Sequence, residues 1–172
     1  MMREDRTFHL GGATLYVGGG EIGEKELESA AHYAGPTDGG IDVSFGADVY
    51  EIRDEAGDVK ETVRRNEGVS VKGRLTAFQA RTLALLTGCP YTEDEKGTTV
   101  YLGGRTAGSG RGISLLFVCP VGKGEVFRLH LGGRVESGAS FSVSKEKPGR
   151  LAFQLSARGK GRGTITFREV AQ

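Results

Sequence analysis

A histidine acts as general base or metal ligand only with a nucleophile, a carboxylate or further ligands brought near it, and His9, His32 and His130 are each isolated along this chain. His130 lies between Leu129 and Leu131 on the polar phase of an alternating run. A solvated or hydrogen-bonded strand histidine accounts for it, and no metal-ligand spacing includes it. Cys89 and Cys119 are far apart without a CxxC spacing, and Cys119 follows the apolar run 113–118, which predicts buried free thiols. Glu24, Glu26 and Glu28 would put three carboxylates on one face of a strand, to hold a cation or to repel a wrong edge partner. A solvated face is the simpler reading. Gly122-Lys123-Gly124 lacks the upstream glycine and the following Ser or Thr of a phosphate loop and reads as a hairpin turn. Arg158-Gly159-Lys160-Gly161-Arg162-Gly163 has few charges and no interleaved aromatics, so a surface β-turn is favoured over nucleic-acid contact. These residues predict no enzyme, no cofactor and no metal site.

The elements that would position any site come from the rest of the chain. A length of 172 residues suits a single domain over 1–172, able to bury roughly 70% of its unfolded surface. Hydrophobic residues at 37% and charged residues at 26% exclude membrane-like and disordered classes. With 23 Lys plus Arg against 22 Asp plus Glu, a net charge of +1 provides no global field for nucleic acid or anionic lipid. No apolar run fits a signal peptide or a membrane span, so synthesis in a cytoplasm and no membrane partner are expected. Glycine, at 29 residues, predicts many turns and close backbone approaches.

Period-two alternation dominates, so the fold should be mainly β. After an N-terminal arm over 1–12, strands are expected at 13–17, at 41–52 with a bulge near 46–49, and at 59–65 and then 69–75, a long hairpin with a charged tip at 53–60. The stretch 21–34 reads as strand or short helix. Thr76 as N-cap with Gln79 three residues on predicts a helix, stopped by Gly88 and Pro90, whose apolar stripe covers a sheet. Residues 89–112 read as a long loop. A β meander follows, with strands at 113–119, 125–131, 139–143, 151–157 and 164–170.

Two segments together resemble the major tail tube proteins of long-tailed, non-contractile bacteriophages. One runs from Gly40-Ile41-Asp42-Val43-Ser44-Phe45 through Val49-Tyr50-Glu51-Ile52 to Val69-Ser70-Val71-Lys72-Gly73-Arg74-Leu75 and into the helix. The other runs from Phe127-Arg128-Leu129-His130-Leu131 through Val135-Glu136-Ser137-Gly138 and Phe141-Ser142-Val143-Ser144-Lys145 to the segment 148–157. The resemblance spans roughly residues 13 to 88 and 113 to 170. It implies a β-sandwich or small barrel with one flanking α-helix, whose strands complete a β-barrel shared between subunits. Hexameric rings would stack into a tube that conducts DNA during ejection without specific binding. Implied partners are further copies of the chain, the tape measure protein, the tail terminator and distal tail proteins; the implied location is the virion tail, assembled in the bacterial cytoplasm.

In that setting Asp42, Ser44 and Ser70 fit a water-filled lumen wall, and Lys72 and Arg74 share their polar phase but need acidic neighbours there. Ring-stacking candidates are Arg53, Asp54, Glu55, Asp58 and Lys60 at the tip, Arg105 and Arg111 in the long loop, and the N-terminal arm. A tube from a tailocin, a gene transfer agent or a type VI-like device would have the same pattern. A monomeric β-sandwich binding module would need an aromatic surface, which a chain with no Trp and five Tyr hardly supplies. A hydrolase lacks its constellation.

Overall fold

The computed structural model describes residues 2–102, 112–122, 124–133, 139–142, 149–158 and 162–169. In chain order the strands are β1 (Met2–Leu10), β2 (Thr14–Gly19), β3 (Tyr33–Arg53), β4 (Val59–Leu75), β5 (Tyr91–Asp94), β6 (Gly97–Val100), β7 (Ile113–Gly122), β8 (Glu125–Gly133), β9 (Ala139–Ser142), β10 (Arg150–Arg158) and β11 (Arg162–Glu169). Helices α1 (Glu24–Leu27) and α2 (Ala80–Thr87) and a 3-10 turn at Ala30–His32 interrupt them.

Antiparallel pairing runs β11-β8-β7-β2-β3-β4-β10-β9, with β1 added to β3, and β5-β6 forms a separate hairpin. Strand β3 belongs to both halves of this sheet. Residues 33–36 lie against β2, and residues 41–49 lie between β1 and β4. Gly39 and Gly40 mark the corner between these parts with φ of 75° and 87°, a region that L side chains rarely adopt. The sheet therefore folds over on itself. Leu15, Leu115, Phe117 and Leu129 of one half share a core with Ile41, Val43, Val71, Leu75, Leu151 and Phe153 of the other. Phe117 and Phe153 stack across it at 6.1 Å between ring centroids. Each fully buried side chain of this size contributes roughly 1.5–3 kcal/mol, which makes this layer the main source of stability. The architecture is mainly β and sandwich-like with a flanking helix, and among the described residues the sheet does not close into a barrel.

Helix α2 lays Leu83 and Leu86 on this core and ends where expected. Gly88, at φ 69°, permits Cys89 N–H to reach Ala84 O at 3.0 Å, the close of a Schellman turn. Its start differs from the Thr76 capping box. Gln79 is the N-cap, extended and without a side-chain cap bond, because Leu75 is still paired with Leu151 and Thr37 and the chain bends at 76–77 before the helix begins.

Other expectations are corrected by pairing. The N-terminal arm is, over Met2–Leu10, a strand that covers the edge of β3 from Ile41 to Val49. The long loop opens with the β5-β6 hairpin, where Asp94 Oδ1 accepts from Lys96 and Gly97 N–H groups at 2.8 and 3.0 Å. The register slip at 46–48 is present, but its extra residue is on β4, so β3 keeps its phase: Ala47 and Val49 are buried, Tyr50 and Ile52 exposed. The final strands form no simple meander, since β10 crosses to β4 and β11 returns to β8. Glu24, Glu26 and Glu28 start on a turn of helix instead of a strand face. Arg105, Arg111, Lys123, Lys160 and the parts 134–138 and 143–148 of the second resembling segment lie outside the described residues.

Candidate functional site

Alternation on β3 and β4 sends Ile41, Val43, Val71 and Leu75 into the core and Asp42, Ser44, Ser70, Lys72 and Arg74 to the other face. Antiparallel register then sets Asp42 opposite Lys72 and Ser44 opposite Ser70. Strand β10 extends the rows with Gln154 opposite Lys72 and Ala152 opposite Arg74, and β1 adds His9 opposite Asp42. All five candidate wall residues, Asp42, Ser44, Ser70, Lys72 and Arg74, thus share one polar face. At its corner end the face dips into an open groove of about 590 Å³ whose lining includes His9, Asp38, Asp42, Lys72, Arg74 and Gln154.

The acidic neighbours that Lys72 and Arg74 require are present but otherwise engaged. His9 Nδ1 stands 2.7 Å from Asp42 Oδ1, and Arg150 Nε stands 3.5 Å from Asp38 Oδ2. Among the described residues, no ion pair includes Lys72 or Arg74. The face therefore mixes both signs, with its two uncommitted cations adjacent on β4.

The hairpin tip brings most of the stacking candidates together. Asp54 Oδ1 accepts from the Ala56 and Asp58 N–H groups at 3.0 and 2.9 Å, while Lys60 Nζ lies 3.0 Å from Asp54 Oδ2. Arg53 donates to Gly57 O at 2.9 Å and pairs with Glu51. Glu55 is exposed at the turn. Beyond Val49 and Gly68 neither β1 nor β10 runs alongside among the described residues, so the distal hairpin is a two-stranded ribbon. Such a ribbon alone is marginal in water, and this one exposes Tyr50, Ile52 and Val59.

Lys60 first, then the backbone N–H groups of the turn, hold the Asp54 carboxyl below the usual carboxylate range. A carboxyl depressed in the folded state supports the turn above its unfolded pKa and ceases to do so as pH falls through its folded value. Acid titration followed by amide NMR should therefore show tip resonances at 54–60 losing their dispersion only below the ordinary carboxylate range, and Asp54→Asn should show the loosened pattern at neutral pH. Identical spectra for the variant and the parent at neutral pH would remove Asp54 as the organiser of the turn.

A polar cluster that sequence reading passed over lies on the opposite side of the fold. Arg128 on β8 pairs with Glu24 through Nε and with Glu28 through Nη2, and Nη1 donates to Glu28 Oε1 at 3.2 Å. Glu28 above all, with Glu24 assisting against burial, holds the guanidinium proton above its ordinary pKa. Ser114 Oγ donates to Gly20 O at 2.8 Å and accepts from Ile22 N–H at 3.0 Å, and His130 Nε2 stands 3.0 Å from Ile22 O. These struts pin 20–28 over the outer side of β7 and β8, where Leu27 and Leu116 are fully buried. The four-residue spacing of Glu24 and Glu28 was the available signal, since a helical turn aligns i and i+4.

Burial raises the Cys119 thiol pKa, which leaves little thiolate at neutral pH. Cys89 is half-buried, and both thiols are free. Among the described residues no group of three His, Cys, Asp or Glu is placed to hold a metal ion, and no helix is long and apolar enough to cross a membrane. Comparison with protein-family models, curated proteins and solved structures finds no match.

Proposed function

We propose that this chain is a structural tube subunit, which closes with copies of itself into rings and stacks them into the tail tube of a long-tailed phage. The observation that carries the reading is a polar face in register across β3, β4 and β10 and extended by His9 of β1, on a sheet whose edges at β1 and β10 are open among the described residues. Among the described residues β1 pairs only with β3, and β9 covers β10 only from Arg150 to Phe153. Exposed strand edges template further pairing, and a closed ring removes them. The hydroxyls of Ser44 and Ser70 and the carboxylate of Asp42 suit a wetted wall along which DNA slides, with the cations of this face, Lys72 and Arg74, confining phosphate contact to one small spot per subunit.

The distal ribbon supplies the second contact. Tyr50, Ile52 and Val59 are apolar surface on a projecting element with an organised tip, suited to burial against the next ring. In this reading the tape measure protein and the terminator and distal tail proteins are the partners at the lumen and the two tube ends, and the virion tail is where the protein resides. The same physics serves a tailocin, a gene transfer agent or a type VI-like tube.

The test is negative-stain electron microscopy across a concentration series, with light scattering on the same samples. Hollow rings and tubes are expected, and deletion of 53–60 should leave rings while abolishing tubes. Protein that stays monomeric throughout the series would overturn the self-assembly on which the reading rests, and unaltered tubes from the deletion would remove the tip from stacking.

A further inference from the structure

We propose that the groove at the corner of the polar face is an anion site that takes a phosphate group between Lys72 and Arg74. Residues two apart on a strand point to the same side, roughly 7 Å from one another, a spacing that lets two long side chains converge on one tetrahedral anion. Arg74 brings a planar fork suited to two phosphate oxygens, and Lys72 brings a mobile point charge. Neither forms an ion pair among the described residues, so binding an anion breaks no existing bridge. The two carboxylates near them already have partners, Asp42 in His9 at 2.7 Å and Asp38 in Arg150 at 3.5 Å, so neither is bridged to Lys72 or Arg74.

The shape of the face admits such a ligand. Ala152, opposite Arg74, has a short side chain, and Gly39 and Gly40 line the groove beside it, leaving about 590 Å³ open above the sheet. A phosphate ion needs only a fraction of that space, so the groove also admits a phosphate that is part of a nucleic-acid backbone. Gln154, opposite Lys72, places an amide at the same row. Selectivity for one base is not expected, because contacts of this kind position a backbone without reading it. The inference uses the groove of one chain and does not depend on the tube.

The test titrates the full-length protein at low ionic strength with inorganic phosphate, followed by amide NMR, and with a short fluorescent single-stranded oligodeoxynucleotide, followed by anisotropy. Saturable shifts centred on the backbone amides of Asp42, Lys72, Gly73 and Arg74 are expected. Lys72→Ala with Arg74→Ala should weaken binding by at least about tenfold, the loss of roughly one charge-assisted hydrogen bond, with circular dichroism unchanged because both side chains are exposed. Asp42→Asn should tighten it by about twofold or more at low salt. Oligonucleotide binding that inorganic phosphate competes away would identify a backbone phosphate as the ligand, and binding of inorganic phosphate alone would identify the free anion. Failure of both probes to bind, or binding unchanged in the double variant, would overturn the site.

Discussion

Replacing Gly40 by alanine is expected to lower the free energy of unfolding by about 3–5 kcal/mol, whereas the same change at Gly39 should cost only about 1–2 kcal/mol. Both residues have positive φ, 87° and 75°, so both substitutions incur left-handed backbone strain. They differ in what a methyl group would meet. At Gly40 the added Cβ would lie 2.0 Å from the carbonyl oxygen of Leu10 and 3.1 Å from that of Gly11, whereas at Gly39 nothing lies within 4 Å. A flexible side chain would swing aside, but a backbone carbonyl moves only with its strand, so relief requires the end of β1 to lift from β3. The His9–Asp42 pair should part with it, since its two residues are opposite one another at that end. For a chain of this length each kcal/mol shifts the melting temperature by roughly 2–4 °C. Thermal unfolding should therefore place the Gly40 variant about 10 °C below the parent and well below the Gly39 variant. Equal shifts for the two would mean that the corner tolerates the clash and that strain alone accounts for the loss.

This corner also separates what the residues disclosed from what they did not. Period-two alternation in 41–45, 69–75 and 127–131 and the short apolar run at 113–118 mark strands because burial of side chains is local information, and each of these segments is a strand. Which strands pair is set by long-range packing. The charged stretch Arg3-Glu4-Asp5-Arg6 has no apolar alternation to announce a strand, yet its backbone pairs along β3. Thr76 and Gln79 match the spacing of a capping box, and tertiary pairing of Leu75 outweighs that local preference. The polar face was legible as a set, because Asp42, Ser44, Ser70, Lys72 and Arg74 share one phase. Its charge balance was not, because the partners His9 and Arg150 come from strands remote in sequence. Carboxylates do lie near Lys72 and Arg74, but among the described residues their ion pairs are with His9 and Arg150.

Arg128→Ala should destabilise the outer side of β7 and β8 by roughly 2–4 kcal/mol. The guanidinium side chain is 12% exposed and that of Glu24 18%, so removing the arginine takes a charged partner from a largely buried carboxylate, while Glu28 at 37% is partly relieved by water and keeps the loss below that of a fully buried pair. A variant that also removes the charges, Glu24→Gln with Glu28→Gln and Arg128→Met, should lose less than Arg128→Ala alone, because no ion is left without its counterpart and the methionine refills the volume. That inversion separates an electrostatic clamp from simple packing. If α1 is held mainly by Leu27 against Leu116, both fully buried, the triple variant should be at least as unstable as the single one. Hydrogen exchange gives the local readout: α1 and the 3-10 turn at Ala30–His32 should exchange faster in Arg128→Ala while β3 and β4 remain protected, because the clamp spans the opposite side of the sandwich from the polar face. Uniform acceleration through β4 would instead mean that the clamp supports the whole core, and a change there would then alter the polar face as well.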